Sequence, residues 1–141
     1  MAKFYDADLV TVAIAGIPVS GYADGEFLSI TQETDAFSDV VGTDGEVTRS
    51  KTKDTRATVS LKLMQTSDSN DLLSALYNTD MSAPNGAGVG AFLVRDRSGR
   101  SLYTGDACWI QKAPDVSFDR EATSREWTIR VANLLRFDGG N

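Results

Sequence analysis

The chain has 141 residues, 41% hydrophobic and 24% charged, with one cysteine, no histidine and a formal net charge of −6. That length and balance suit one folded unit around a single core and do not suit a disordered chain. The lone Cys108 excludes an internal disulfide and a multi-cysteine metal site, the absence of histidine removes the commonest general base and metal ligand, and the acidic balance opposes a phosphate-binding surface.

The opening "MAKFYDADLV" carries one lysine, two early aspartates and no apolar run of signal-peptide length, so synthesis in the cytosol without export is expected. "LVTVAIAGIPV" mixes β-branched and apolar residues as a strand does. It is broken by threonine, glycine and proline well short of the roughly 18 apolar residues of a membrane span, and a soluble protein is expected. "FLSITQ" reads as a further strand. The turn dipeptides Asp24-Gly25, Asp44-Gly45 and Ser98-Gly99 each predict a hairpin.

Residues 39–55, "DVVGTDGEVTRSKTKDT", contain no aromatic residue and no leucine. A polar stretch of this length inside a compact domain serves as a binding loop or is disordered. Asp44-Gly45 divides it, which predicts a protruding hairpin or loop arm over about 36–56. Charge changes sign along the arm: residues 1–48 carry one positive and nine negative side chains, residues 49–62 five positive and one negative. An acidic surface and a basic finger on one molecule suit head-to-tail self-association, while a solvated loop with accidental charge is the commoner origin of such a pattern.

After the arm, "ATVSLKLM" alternates Ala57, Val59, Leu61 and Leu63 against Thr58, Ser60 and Lys62, as a half-buried strand does. "TSDSNDLLSALYNTD" predicts a helix over about 68–79, capped by Ser67, Asp68 or Ser69, whose Leu72, Leu73, Leu76 and Tyr77 face the sheet. "MSAPNGAGVG" reads as a flexible connection, and "GAGVGA" within it is no phosphate loop, because it follows a helix and leads into the strand "AFLVRD". "WTIRVANL" alternates Trp127, Ile129 and Val131 against Thr128 and Arg130. Trp109 and Trp127 lie in apolar strand runs as core or interface anchors, Cys108 reads as a small buried hydrophobe, and the closing "FDGGN" has too little side chain for a core.

Chemistry is hard to place on this chain. Ser50 and Lys53 have the spacing of a Ser-Lys pair, but their neighbours are all polar and give the lysine no apolar pocket. The pairs Asp6/Asp8 and Asp115/Asp119 read as solvated surface, and "RDRSGR" as an exposed hairpin tip. No catalytic, cofactor-binding or metal residue is assigned and an enzyme is not expected.

The stretches "GIPVSGYADGEF", "VGTDGEVTRSKTKD", "QTSDSNDLLSAL", "DRSG", "WIQKAPDV", "REWTI" and the terminal "GGN" run in order over nearly the whole chain. Together they resemble the tail tube proteins of contractile-tailed bacteriophages, a family often described only as phage structural proteins. The resemblance implies a mainly β fold, a small β-sandwich or barrel with one flanking α-helix, shared with the tube of type VI secretion. It further implies six copies to a ring and rings stacked into a hollow tube, assembled in the host bacterial cytoplasm as part of the virion tail. Partners would be other copies of the chain, the contractile sheath, a baseplate initiator and a tail terminator, with no cofactor. DNA would pass to the host without specific binding.

On that basis Asp39, Asp44, Glu46, Arg49, Lys51, Lys53 and Asp54 are the expected inter-ring arm residues. The expected bore-lining face carries Ser29, Thr31, Glu33, Thr58 and Ser60, a polar and net-negative wall against which Lys62 counts. Two rival readings remain: the tube of a DNA-free contractile injection or secretion system, and a carbohydrate-binding β-sandwich, which would need exposed tryptophans.

Overall fold

Alternation of apolar and polar side chains from Ala57 to Met64 buries every second residue, and the computed structural model, which describes residues 2–140, places this strand deep in an antiparallel sheet. In chain order the elements are β1 (Val10–Ile14), β2 (Ile17–Pro18), β3 (Leu28–Gln32), β4 (Phe37–Val41) and β5 (Val47–Lys51). There follow β6 (Ala57–Met64), α1 (Ser69–Ser82), β7 (Gly90–Asp96), β8 (Leu102–Lys112), β9 (Ser124–Val131) and β10 (Leu134–Phe137). The main sheet runs β2-β1-β7-β8-β9-β6-β3, with β10 also paired to β8, while β4 and β5 form a separate two-stranded ladder.

The sheet rolls until one segment bridges its two sides. Val19 N donates to Val12 O at 3.0 Å, continuing the β1–β2 pairing, and a few residues later Tyr22 bridges Leu63 while Ala23 N donates to Lys62 O at 3.0 Å. The interior so enclosed is filled by fully buried Val12, Ile14, Leu61, Leu63, Phe92 and Ile129. Cys108 is buried among them, where loss of water raises its thiol pKa.

Two of the expected turns behave as read: Asp44-Gly45 lies in the loop between β4 and β5, and Ser98-Gly99 in that between β7 and β8. Asp24-Gly25 does not make a hairpin. Lys62 pairs with both flanks, accepting from Ala23 N and donating to Phe27 O at 2.8 Å, so residues 24–26 are looped out of one continuous edge. The Tyr22 and Phe27 rings stack 4.5 Å apart across this bulge. A hairpin that the sequence does not advertise sits at Ala15-Gly16, where both residues take positive φ, 52° and 81°. This is a two-residue turn of the primed type, which asparagine and glycine favour and alanine does not.

Helix α1 covers one end of the barrel. Ser67 Oγ accepts from Ser69 N at 3.2 Å and donates to Ser20 O at 2.6 Å, so Ser67 caps the helix while Asp68 makes no cap bond. Ser69 and Leu73 are buried, with Leu76 and Tyr77 packed beside them. Leu72 departs from the expected face: it is 50% exposed, because a turn of 100° separates it from Leu73, on which the buried stripe is centred. The connection after α1 is pinned by hydrogen bonds, since Asp80 Oδ1 accepts from Ala87 N at 2.9 Å and Gly88 N at 3.1 Å. Ser101 Oγ likewise ties the C-terminal Gly139 O at 3.0 Å.

Candidate assembly interface

The arm is a hairpin whose ten ladder residues are all exposed. Thr52 N donates to Ala36 O at 2.9 Å at its base, and Gly42 N to Glu46 O at 2.8 Å near its tip. Val41 pairs with Val47 and Asp39 with Arg49, and the Arg49 guanidinium lies 4.5 Å from the Phe37 ring centre. Of the expected arm residues, Asp39, Asp44, Glu46, Arg49 and Lys51 lie on the hairpin. Lys53 and Asp54 follow its closing bond, where Asp54 turns back to Arg56. An isolated two-stranded hairpin in water is only marginally stable, and this one leaves Phe37, Val40, Val41 and Val47 exposed to solvent.

Asp54 fixes the base of the arm. Arg56 binds it through Nε and Nη2, each at 2.9 Å, Arg56 N adds a bond at 3.1 Å, and these hold the carboxyl at about 2. Because the folded value lies below the ordinary aspartate value, whatever this contact contributes is present above about pH 4 and is lost as pH falls through about 2. In an NMR titration of Arg56→Ala the Asp54 midpoint should return towards the ordinary value of about 3.9. An unchanged midpoint would show that Arg56 is not its cause.

The five residues expected on the bore wall are brought together. Ser29 stands opposite Ser60 and Thr31 opposite Thr58 across β3 and β6, on the face away from the core, and Thr58 donates to Glu33 just beyond β3. Cross-strand partners share a face, so β9 adds Glu126, Thr128 and Arg130, and β8 adds the half-buried Trp109 opposite Arg130. Sequence reading missed these β9 residues because their register with β6 is not written locally.

Their charges change the electrostatics. Arg130 Nη1 lies 3.3 Å from Glu33 Oε1, an ion pair without hydrogen-bond alignment, and Arg130 Nε donates to Gln111 Oε1 at 2.9 Å. Lys62 Nζ lies 4.0 Å from Glu126 Oε2. The Thr58 hydroxyl, and then the charge of Arg130, hold the Glu33 carboxyl below the usual range. The face is therefore polar with its charges paired, and the expected net-negative wall is corrected.

The outer edges of β3 and β10 carry no strand neighbour among the described residues. Trp127, by contrast, is buried with its indole N–H donating to Asn70 Oδ1 at 3.0 Å, so it is no sugar-stacking platform. Ser50 and Lys53 stay exposed, Asp6 Oδ1 caps Asp8 N at 2.9 Å, and no cluster of His, Cys, Asp and Glu among the described residues could hold a metal. No helix of the described residues is long and apolar enough to cross a membrane.

The family model "Bacteriophage PhiTE tail tube protein" matches residues 6–137. The chain belongs to this tail tube family. It is also 33% identical over 143 residues to "Structural protein ORF10" of Pseudomonas phage KPP10, covering 97% of this chain and 83% of that protein. Two cryo-EM structures share the fold at 9% identity. The anti-feeding prophage tube-terminating cap superposes with a TM-score of 0.59 over 97% of this chain and 93% of the cap. The sheath/tube terminator of the extracellular contractile injection system PVC does so with 0.62 over 96% and 98%. The mainly β fold with a flanking helix is thus that of contractile-tail components, and the chain is a structural protein of the phage tail.

Proposed function

We propose that this tail tube protein closes into hexameric rings that stack head to tail into the inner tube of a contractile tail, through which DNA reaches the host. The observation that carries the reading is the placement of three incomplete features on one small chain: open strand edges, a polar sheet face directed away from the core, and a hairpin outside the main sheet. Open edges pair with neighbouring copies within a ring, which removes the aggregation hazard that each presents alone. The β3–β6–β9 face then lines the bore. Its serines, threonines and paired ions offer sliding phosphates no uncompensated cation of the kind that gives nucleic-acid binders their affinity. No chemistry is asked of the protein, and its role is non-enzymatic.

Ring stacking is a heterologous contact, the same two unlike surfaces meeting at every step, and the arm supplies one of them. Outside the tube the same subunit meets the sheath, and the ends of the stack meet an initiator and a terminator, all assembled in the host cytoplasm. Negative-stain microscopy of the concentrated protein should show rings or tubes of uniform bore. A monodisperse monomer at every concentration and salt would overturn the reading.

A further inference from the structure

The arm and a surface cleft beside α1 lie at opposite ends of one strand. β6 begins immediately after the arm, at Ala57, and ends at Met64 beside Ser124, where α1 and the segment 113–123 enclose a cleft of about 470 Å³. Eight extended residues separate the two by roughly 25 Å. In a head-to-tail stack along the strand direction, the tip of one copy meets the cleft end of the next.

The two surfaces match in chemistry. Tyr77, Pro114, Val116, Phe118 and Trp127 give the cleft an apolar wall, with Val116 65% and Phe118 81% exposed. At its side lies Arg125, 9% exposed. The guanidinium bonds only to neutral groups, donating to Thr123 Oγ1 at 3.0 Å and to the Ser124 and Ser117 carbonyls at 3.4 Å. The ion pairs of the described residues are Arg56–Asp54, Lys62–Glu126, Arg130–Glu33 and Arg136–Asp138, so no carboxylate is in ion-pair contact with this buried cation, whose guanidinium faces the Phe118 ring at 5.5 Å. A buried charge without an opposite charge is costly, and a carboxylate arriving from outside stabilises it. The arm tip offers the complement, with Val41 and Val47 side by side and 61% and 60% exposed, and Asp44 and Glu46 in the turn beyond them.

From this juxtaposition we infer that the cleft between α1 and residues 113–118 receives the arm tip of a second copy, Val41 and Val47 seating on Val116 and Phe118 and an arm carboxylate meeting Arg125. The inference rests on the stacking reading above and names the surface on which the arm lands. One contact then joins apolar burial to a charge pair whose cationic half is held in place beforehand, which fixes the rotation of one ring on the next.

Cysteine pairing tests it, since native Cys108 is fully buried and does not interfere. A Thr43→Cys, Val116→Cys double variant, assembled under reduction and then oxidised, should give a ladder of disulfide-linked multimers on a denaturing gel. A Thr43→Cys, Leu135→Cys control, whose second site lies at the arm end of the sheet, should give none. Wild-type tubes together with no ladder from the first variant, or a ladder from the control, overturn the assignment and leave stacking intact. Absence of wild-type rings and tubes defeats the stacking reading itself. As an independent check, Val116→Asp should give rings without tubes. Tubes of ordinary length from that variant overturn the assignment whatever the cysteine variants do.

Discussion

Replacing residues 37–51 by an Asn-Gly turn is expected to yield a folded protein that still closes into rings but forms no tubes. The change is tolerated because Ala36 and Thr52 already meet through a backbone bond of 2.9 Å, a gap that a two-residue turn spans. The hairpin has its own two-stranded ladder and none of its ten strand residues is buried, so its removal should change stability by no more than about 1 kcal/mol. Assembly should change far more. If the arm supplies one half of every ring-to-ring contact, its loss removes that contact at every step of the stack, and tube length falls to a single ring. Thermal denaturation checks the first half of the expectation and electron microscopy the second. Long tubes from the armless protein would show that stacking rests on another surface.

The second large effect concerns two adjacent leucines of α1. Leu73 is fully buried within the core cluster, and Leu73→Ala should cost about 2–5 kcal/mol as measured by urea unfolding, from lost transfer energy and the cavity left behind. Leu72→Ala, at a site 50% exposed, should stay within about 0.5 kcal/mol. Equal losses would mean that both residues face the sheet and that the helix is rotated from its described orientation. Leu72 is also free to contribute to a contact outside the chain, in which case its replacement alters assembly and not folding.

These leucines show where reading from sequence reaches its limit. The run Ala57 to Met64 was legible to its ends because period-two alternation is the whole cause of its half-burial. The sequence places four apolar residues of α1 on one face, yet periodicity locates a stripe without locating its centre, and packing against the barrel centres it on Leu73. Ala15-Gly16 was invisible as a turn because tertiary packing holds an alanine at positive φ. At Asp24-Gly25 the turn chemistry was real, but its flanks found β6 as their partner instead of each other.

The candidate site divides in the same way. The arm announced itself through local composition and charge. The polar wall was half legible: the Ser29, Thr31 and Thr58, Ser60 faces follow from alternation within their strands, whereas the pairing of Glu33 with Arg130 joins residues far apart in the chain and depends on a register that no local pattern encodes. Segment 113–123 has no period to read, so the cleft with its buried Arg125 was not legible at all. Long-range placement, more than local conformation, is what the structure adds.

A helical reconstruction of the assembled tube at side-chain resolution tests the central claim most directly. The account predicts six chains to a ring, with Ser29, Thr31, Thr58 and Ser60 turned into the bore beside the Glu33–Arg130 pair. A tube whose bore is lined by another surface, with the β3–β6–β9 face turned outward towards the sheath, would contradict it.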